Sequence, residues 1–183
     1  MKKFLFLYPF LTYTLLLAYT YNDLLIKTQA SIFPKIILLD RNLPMKLIND
    51  TIVLSIIYEK DDLFTAQNIK TIIEESFSNN IDGYGLQIQL IEVSQLSQAT
   101  HATAFYVLNL SDEALKKVTK IAEQNHIMTF SYDLNNLRKG LLFSISMEQS
   151  TTFYVNKDNL HNEKVDFVAP LLQMVKFIDK ENS

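Results

Sequence analysis

The chain has 183 residues, 48% of them hydrophobic and 20% charged, with 17 basic against 20 acidic side chains and no cysteine. That length suits one domain with a core of its own. The missing cysteine excludes disulfides, thiolate catalysis, Cys-based zinc sites and a lipoprotein anchor, and the acidic balance argues against a nucleic-acid binder, which needs a basic face to displace counterions.

Lys2 and Lys3 open the chain, no charge follows from Phe4 to Tyr21, and Asn22 and Asp23 end the run. A basic start, an apolar middle and a polar exit are the layout of a secretory signal. The positive-inside bias keeps the two lysines in the cytoplasm and sends the rest across. Residues 1–21 therefore read as a signal peptide or N-terminal anchor, and residues 22–183 as the domain it delivers. Ala18 and Thr20 can serve at −3 and −1 of a cleavage site, while the run also approaches spanning length. A cut leader and a retained anchor both stand.

A helix is expected from Asp23 to about Leu39, with Leu24, Leu25, Thr28, Ile32, Ile36 and Leu39 at helical spacing and Pro34 kinking it or delaying its second half. Arg41 to Asp50 reads as a loop. Thr51 to Tyr58 is a β-branched apolar run of the kind buried on both sheet faces. Asp62 is placed to cap a helix to Phe77. Asn79 to Gly85 is a turn, and Leu86 to Val93 alternates as a strand near an edge. Ala102 to Leu108 is a second buried strand, Ser111 caps a helix to Gln124, and Ile127 to Ser131 is a short strand. Tyr132 to Gly140 is a loop or helical turn. Leu141 to Ser146 and Thr151 to Val155 form a hairpin. Pro170 opens a last helix with Leu171, Leu172, Val175 and Ile178 inward. The order α-β-α-β-β-α-β-β-β-α predicts a single α/β domain: a mixed, mainly parallel sheet with helices on both faces, Rossmann-like and three-layered, ending in a β-hairpin and a C-terminal helix.

Chemistry is sparse. Gly83, Gly85 and Gly140 fit neither a phosphate loop nor a dinucleotide fingerprint. His101, His126 and His161 stand singly, without metal-ligand spacing, and no serine sits in a nucleophile elbow. No cofactor, metal or catalytic residue is expected. Ligands of open α/β sheets bind beyond the carboxyl ends of strands. This makes Glu59 after the first strand, Asn109 and Ser111 after the third, and Ser131 and Asp133 after the fourth the candidate rim for a ligand or partner. Capping and turn roles compete for several of them.

The order of elements and several short motifs resemble the YfiR-like family of bacterial periplasmic proteins. Ile127 to Asp133 (IMTFSYD) is similar to the family's strand-and-turn segment. Leu137 to Ile145 keeps one of its two glycines as Gly140. Phe153 to Asn156 matches its strand ending in Asn, and Leu171 with Leu172 matches its closing helix. The second family glycine is Lys139 here, and the cysteines of some members are absent. The resemblance implies a non-catalytic periplasmic regulator. Its partner would be the periplasmic sensor region of an inner-membrane signalling protein, a diguanylate cyclase or sensor kinase, giving control of cyclic-di-GMP from outside the cytoplasm. It leaves room for a small molecule and a homodimer. The alternative reading is a periplasmic solute-binding protein that captures a small ligand for a transporter or sensor.

Overall fold

The computed structural model describes residues 21–148 and 150–179. Of the stretch read as leader, residues 1–20 lie outside the described residues. Tyr21, counted with the leader in the sequence reading, is packed against Asp62 and Tyr132 of the domain. No helix among the described residues is long and apolar enough to cross a membrane.

Helix α1 (Asp23–Ile37) is opened by Asn22, whose side chain accepts from the Leu25 N–H, and runs through Pro34 to Ile37. Arg41 to Asp50 is not all loop: one turn of helix, α2 (Leu43–Lys46), starts there with a Pro in its first turn, where a missing N–H is harmless. Strand β1 (Thr51–Tyr58) is followed by a short 3₁₀ turn and α3 (Leu63–Phe77). A hairpin of β2 (Asn80–Ile81) and β3 (Tyr84–Glu92) turns on Asp82 and Gly83, both at positive φ, as the tight hairpin turn requires. Then come β4 (Ala104–Val107), α4 (Asp112–Asn125), β5 (Met128–Ser131), a 3₁₀ turn (Leu134–Leu137), β6 (Phe143–Ser146), β7 (Thr152–Asn156), α5 (Lys157–Asn162), α6 (Ala169–Met174) and β8 (Val175–Ile178).

The protein is an α/β domain around one eight-stranded sheet in the order β2-β3-β1-β4-β5-β6-β7-β8. Strands β3, β1, β4, β5 and β6 are parallel, and β2 and the β7–β8 pair run the other way. Side chains alternate across a strand, so β1 feeds two cores. Ile52, Leu54 and Ile56 meet α1 and α3, while Val53 and Ile57 meet α4 and the second 3₁₀ turn. Phe33 docks α1 by stacking on Phe130 at 4.5 Å and meeting Tyr106 and Phe143 edge-on. Such pairs each add about 0.5–1.5 kcal/mol beyond the area they bury.

The expected C-terminal helix is corrected. It ends at Met174, and Val175 to Ile178 form β8 instead, paired along β7 from Phe153↔Val175 to Asn156↔Ile178. Val-Lys-Phe-Ile is β-branched and aromatic, and β7 offers it an open row of backbone donors and acceptors. Pairing there outweighs a helical period only four residues long. Leu171 is buried and Leu172 half-buried, as members of the short helix that remains.

Candidate functional site

In this topology the chain leaves β1 for β3 on one side and later returns to β4 on the other. The crevice beyond the carboxyl ends of β1 and β4 is therefore the switch point where α/β sheets place ligands. Here the protein's own side chains fill it. Glu59, just after β1, accepts from the Ser111 hydroxyl at 2.7 Å and the Ser111 N–H at 3.1 Å. Beside them the Tyr21 hydroxyl accepts from the Asn109 N–H at 3.1 Å and donates to Asp62 at 2.8 Å. Three of the five expected rim residues, Glu59, Asn109 and Ser111, thus meet at one place, but they bind one another and Tyr21.

Neither expected cap forms through its side chain. Ser111 and Asp62 occupy the cap positions, yet their oxygens go to Glu59 and Tyr21 rather than to helix N–H groups. A long-range partner of opposite hydrogen-bonding character outcompetes the local amide. Burial raises the Tyr21 phenol, and burial also raises the Asp62 carboxyl, with Glu59 and Asp61 repelling its charge and the Tyr21 bond pulling the other way. The contact is a neutral phenol donating to a carboxyl.

Ser131 is buried and faces inward: its hydroxyl donates to the Asp133 carbonyl at 2.7 Å, and its own carbonyl accepts from Ser144. Asp133 holds the following turn by accepting from the Asn135 N–H at 2.9 Å. It also lines a hollow of about 470 Å³ beyond the ends of β5 and β6, with Tyr132, Asn135, Ser146, Met147 and Glu148. Two carboxylates and no Lys or Arg line that hollow. Its inner wall is held by Tyr132, whose hydroxyl accepts from the Asn22 N–H and whose ring packs edge-on against Tyr21 at 4.7 Å. Below lies Gln29, fully buried. Its amide donates to the carbonyls of Ser131, Tyr132 and Ile145, and its oxygen accepts from Tyr106 at 2.6 Å. Sequence reasoning missed Tyr21, Gln29, Tyr106 and Tyr132. Gln29 did leave a signal, as the one polar residue within the apolar stripe Ile26-Ala30-Phe33.

The opposite, amino end of the parallel strands is held by a second buried network. The Lys46 ammonium lies 3.0 Å from Asp40 and donates to the Glu163 carbonyl. The fully buried Glu163 carboxyl accepts from the Thr129 hydroxyl at 2.6 Å and the Thr129 N–H at 2.8 Å. Burial pushes Glu163 up to about 8 and lowers Lys46, which Asp40 partly restores. The family-matched Gly140 and Asn156 sit in the same joint. Gly140 has a φ of 105° that favours glycine and accepts at its carbonyl from Asn159. Asn156 donates to the Leu137 carbonyl at 2.6 Å and caps α5 through Asp158 and Asn159. Their roles are structural. Among the described residues no three His, Asp or Glu side chains are arranged to hold a metal ion.

No protein-family model matches the chain, and no curated protein does. Solved structures with this fold do match. A conserved domain protein from Vibrio cholerae o1 biovar eltor superposes with a TM-score of 0.56 at 11% identity, over 76% of this chain and 58% of that one. An ABC domain in complex with L-Trp from Streptococcus pneumonia gives 0.55 at 9%, over 81% and 61%. The ligand-free, open structure of a substrate-binding protein with adhesive properties from Clostridium difficile gives 0.54 at 16%, over 76% and 58%. At these identities the likeness establishes the fold alone. The chain spans less than two thirds of the length of these neighbours.

Proposed function

We propose that this chain is a non-catalytic, exported binding module that holds a small amine-bearing solute at the carboxyl end of its sheet. The observation that carries this is the hollow beyond β5 and β6: Asp133 and Glu148 line it without any basic neighbour, next to a switch point closed by Tyr21. A cation entering it exchanges water for charge-assisted hydrogen bonds. Two of the three similar structures carry ligand or substrate binding in their names, L-Trp in one case, which supports a binding role over a catalytic one. A thermal-shift screen with small amines and amino acids tests it. The expected result is an upward midpoint shift that grows with ligand concentration and disappears in Asp133→Asn. Stabilisation by no amine, or equal stabilisation of Asp133→Asn, sinks it.

A second reading keeps the resemblance to the YfiR-like regulators. It is supported by the way Gly140 and Asn156, matched from sequence alone, come together in one buried joint. In that reading the module docks on the periplasmic sensor region of an inner-membrane cyclase or kinase. Cross-linking in native membranes should then recover such a protein, and recovery of none counts against it.

A further inference from the structure

A larger hollow lies at the other end of the molecule, lined by none of the expected rim residues. It encloses about 610 Å³ at the amino ends of β4 and β5, between α2 and the start of β1. No Asp or Glu lines it. A second hollow of about 550 Å³ continues from it, sharing Asn42, His126 and Lys164, and is likewise free of carboxylates. Two carboxylates next to it in the fold are engaged, Asp40 with Lys46 and two backbone N–H groups and Glu163 with Thr129, and Glu123 accepts from Asn162 of the second hollow at 3.4 Å.

The lining mixes two kinds of side chain. Met45, Ile48 and Ile127 are apolar, and Met45 is 78% exposed. His101, His126 and Lys164 are basic or polar. Lys46 reaches the same space but already holds Asp40 and the Glu163 carbonyl. His126 Nδ1 lies 3.2 Å from the Asn162 carbonyl, an acceptor only, so Nδ1 donates there and the ring is fixed in the wall. Lys164 projects from a residue at positive φ directly after the buried Glu163. Its backbone is fixed from both sides: its carbonyl accepts from Asn42 at 3.0 Å and its N–H bonds the His161 carbonyl. A flexible ammonium is thus mounted on an anchored turn of a hollow that imidazoles and apolar side chains also line.

We infer that this groove is a second ligand site, for a small organic anion with an apolar body: a carboxylate or phosphate ester whose head meets Lys164 and whose body lies on Met45, Ile48 and Ile127. It is independent of the amine pocket, since the two lie at opposite ends of the sheet and are lined by opposite charges.

Titration calorimetry on the full domain with phenyl phosphate tests it, with inorganic phosphate and benzylamine as the other arms. Phenyl phosphate is expected to bind more tightly than inorganic phosphate, because only the ester uses the apolar side chains. Lys164→Glu, an exposed position whose change leaves the fold intact by circular dichroism, should weaken phenyl phosphate by roughly tenfold or more, the loss of one charge-assisted contact. Met45→Ser should weaken phenyl phosphate and leave inorganic phosphate unchanged. Benzylamine, which probes the carboxyl end, should bind Lys164→Glu and the native chain alike. No binding of phenyl phosphate at millimolar concentration overturns the inference. So does binding that survives Lys164→Glu, or binding that is lost in Asp133→Asn instead.

Discussion

At the carboxyl end of the strands, polar groups meet at half-buried positions: Tyr21 with Asp62 and Asn109, Glu59 with Ser111, all near solvent. At the amino end, Asp40, Lys46, Glu163 and Thr129 meet with almost no access to water, and the aqueous hollow outside them is cationic. Both networks stitch loops to strands. The first does so with one neutral phenol between a carboxyl and a backbone N–H, the second with buried formal charges. Desolvation makes the second the stronger constraint and the more fragile one, because an ion left alone there has no water to fall back on.

The largest effect should come from splitting the buried pair. Asp40→Ala strands Lys46 and two backbone N–H groups, and we expect a loss of about 3–5 kcal/mol in urea unfolding. Adding Lys46→Met should recover part of it. A double variant no more stable than the single one would remove the argument that stranded charge is the cause.

Next is pH. Glu163 rises to about 8 in the folded protein from an ordinary value of 4.5. Its contribution to stability is therefore fully present below about 4.5 and is lost as pH rises toward 8. Asp62, also raised, acts in the same sense. Calorimetric midpoints should fall across this window, and Glu163→Gln, permanently neutral, should flatten the fall. An unchanged slope in that variant would show that the amino-end network does not govern the titration.

Smaller effects belong to the carboxyl end. Tyr21→Phe deletes one hydroxyl and leaves the Asn109 N–H without its acceptor, for about 1–3 kcal/mol by chemical denaturation. Ser111→Ala should cost about 0.5–1.5 kcal/mol in the same measurement. The smallest change is Arg41→Ala. The Arg41–Asp166 pair is more than half exposed on both sides, so about 0–1 kcal/mol is expected, vanishing in high salt. Should Tyr21→Phe prove costlier than Asp40→Ala, the ranking of the two ends is reversed.

Local patterning explains what could be read in advance. The apolar runs of β1, β4 and β5 and the Asp82-Gly83 turn are set by burial on both faces and by backbone dihedrals, both of which leave marks within a few residues. Glu59, Asn109 and Ser111 were legible as neighbours because topology alone carries strand ends to one place. Their bonding was not, because Glu59 meets Ser111 across 52 residues of chain and Asn109 meets Tyr21 across 88. The three histidines looked unrelated at positions 101, 126 and 161, and only the sheet brings them around one pair of hollows. Strand β8 was misread because four residues carry too short a period to outweigh the open edge that they complete.

That same strand has a further consequence. Left bare, β7 would offer a five-residue margin to any passing chain, and extended sheets grow by such additions. Covered, the sheet ends in four residues with Lys176 on the rim, and its other margin ends in the two residues of β2. The β8 edge is short and carries a charge that resists pairing with its own kind, whereas β2 covers only Tyr84 and Gly85 of β3. Edge-to-edge growth through β7 should therefore be suppressed.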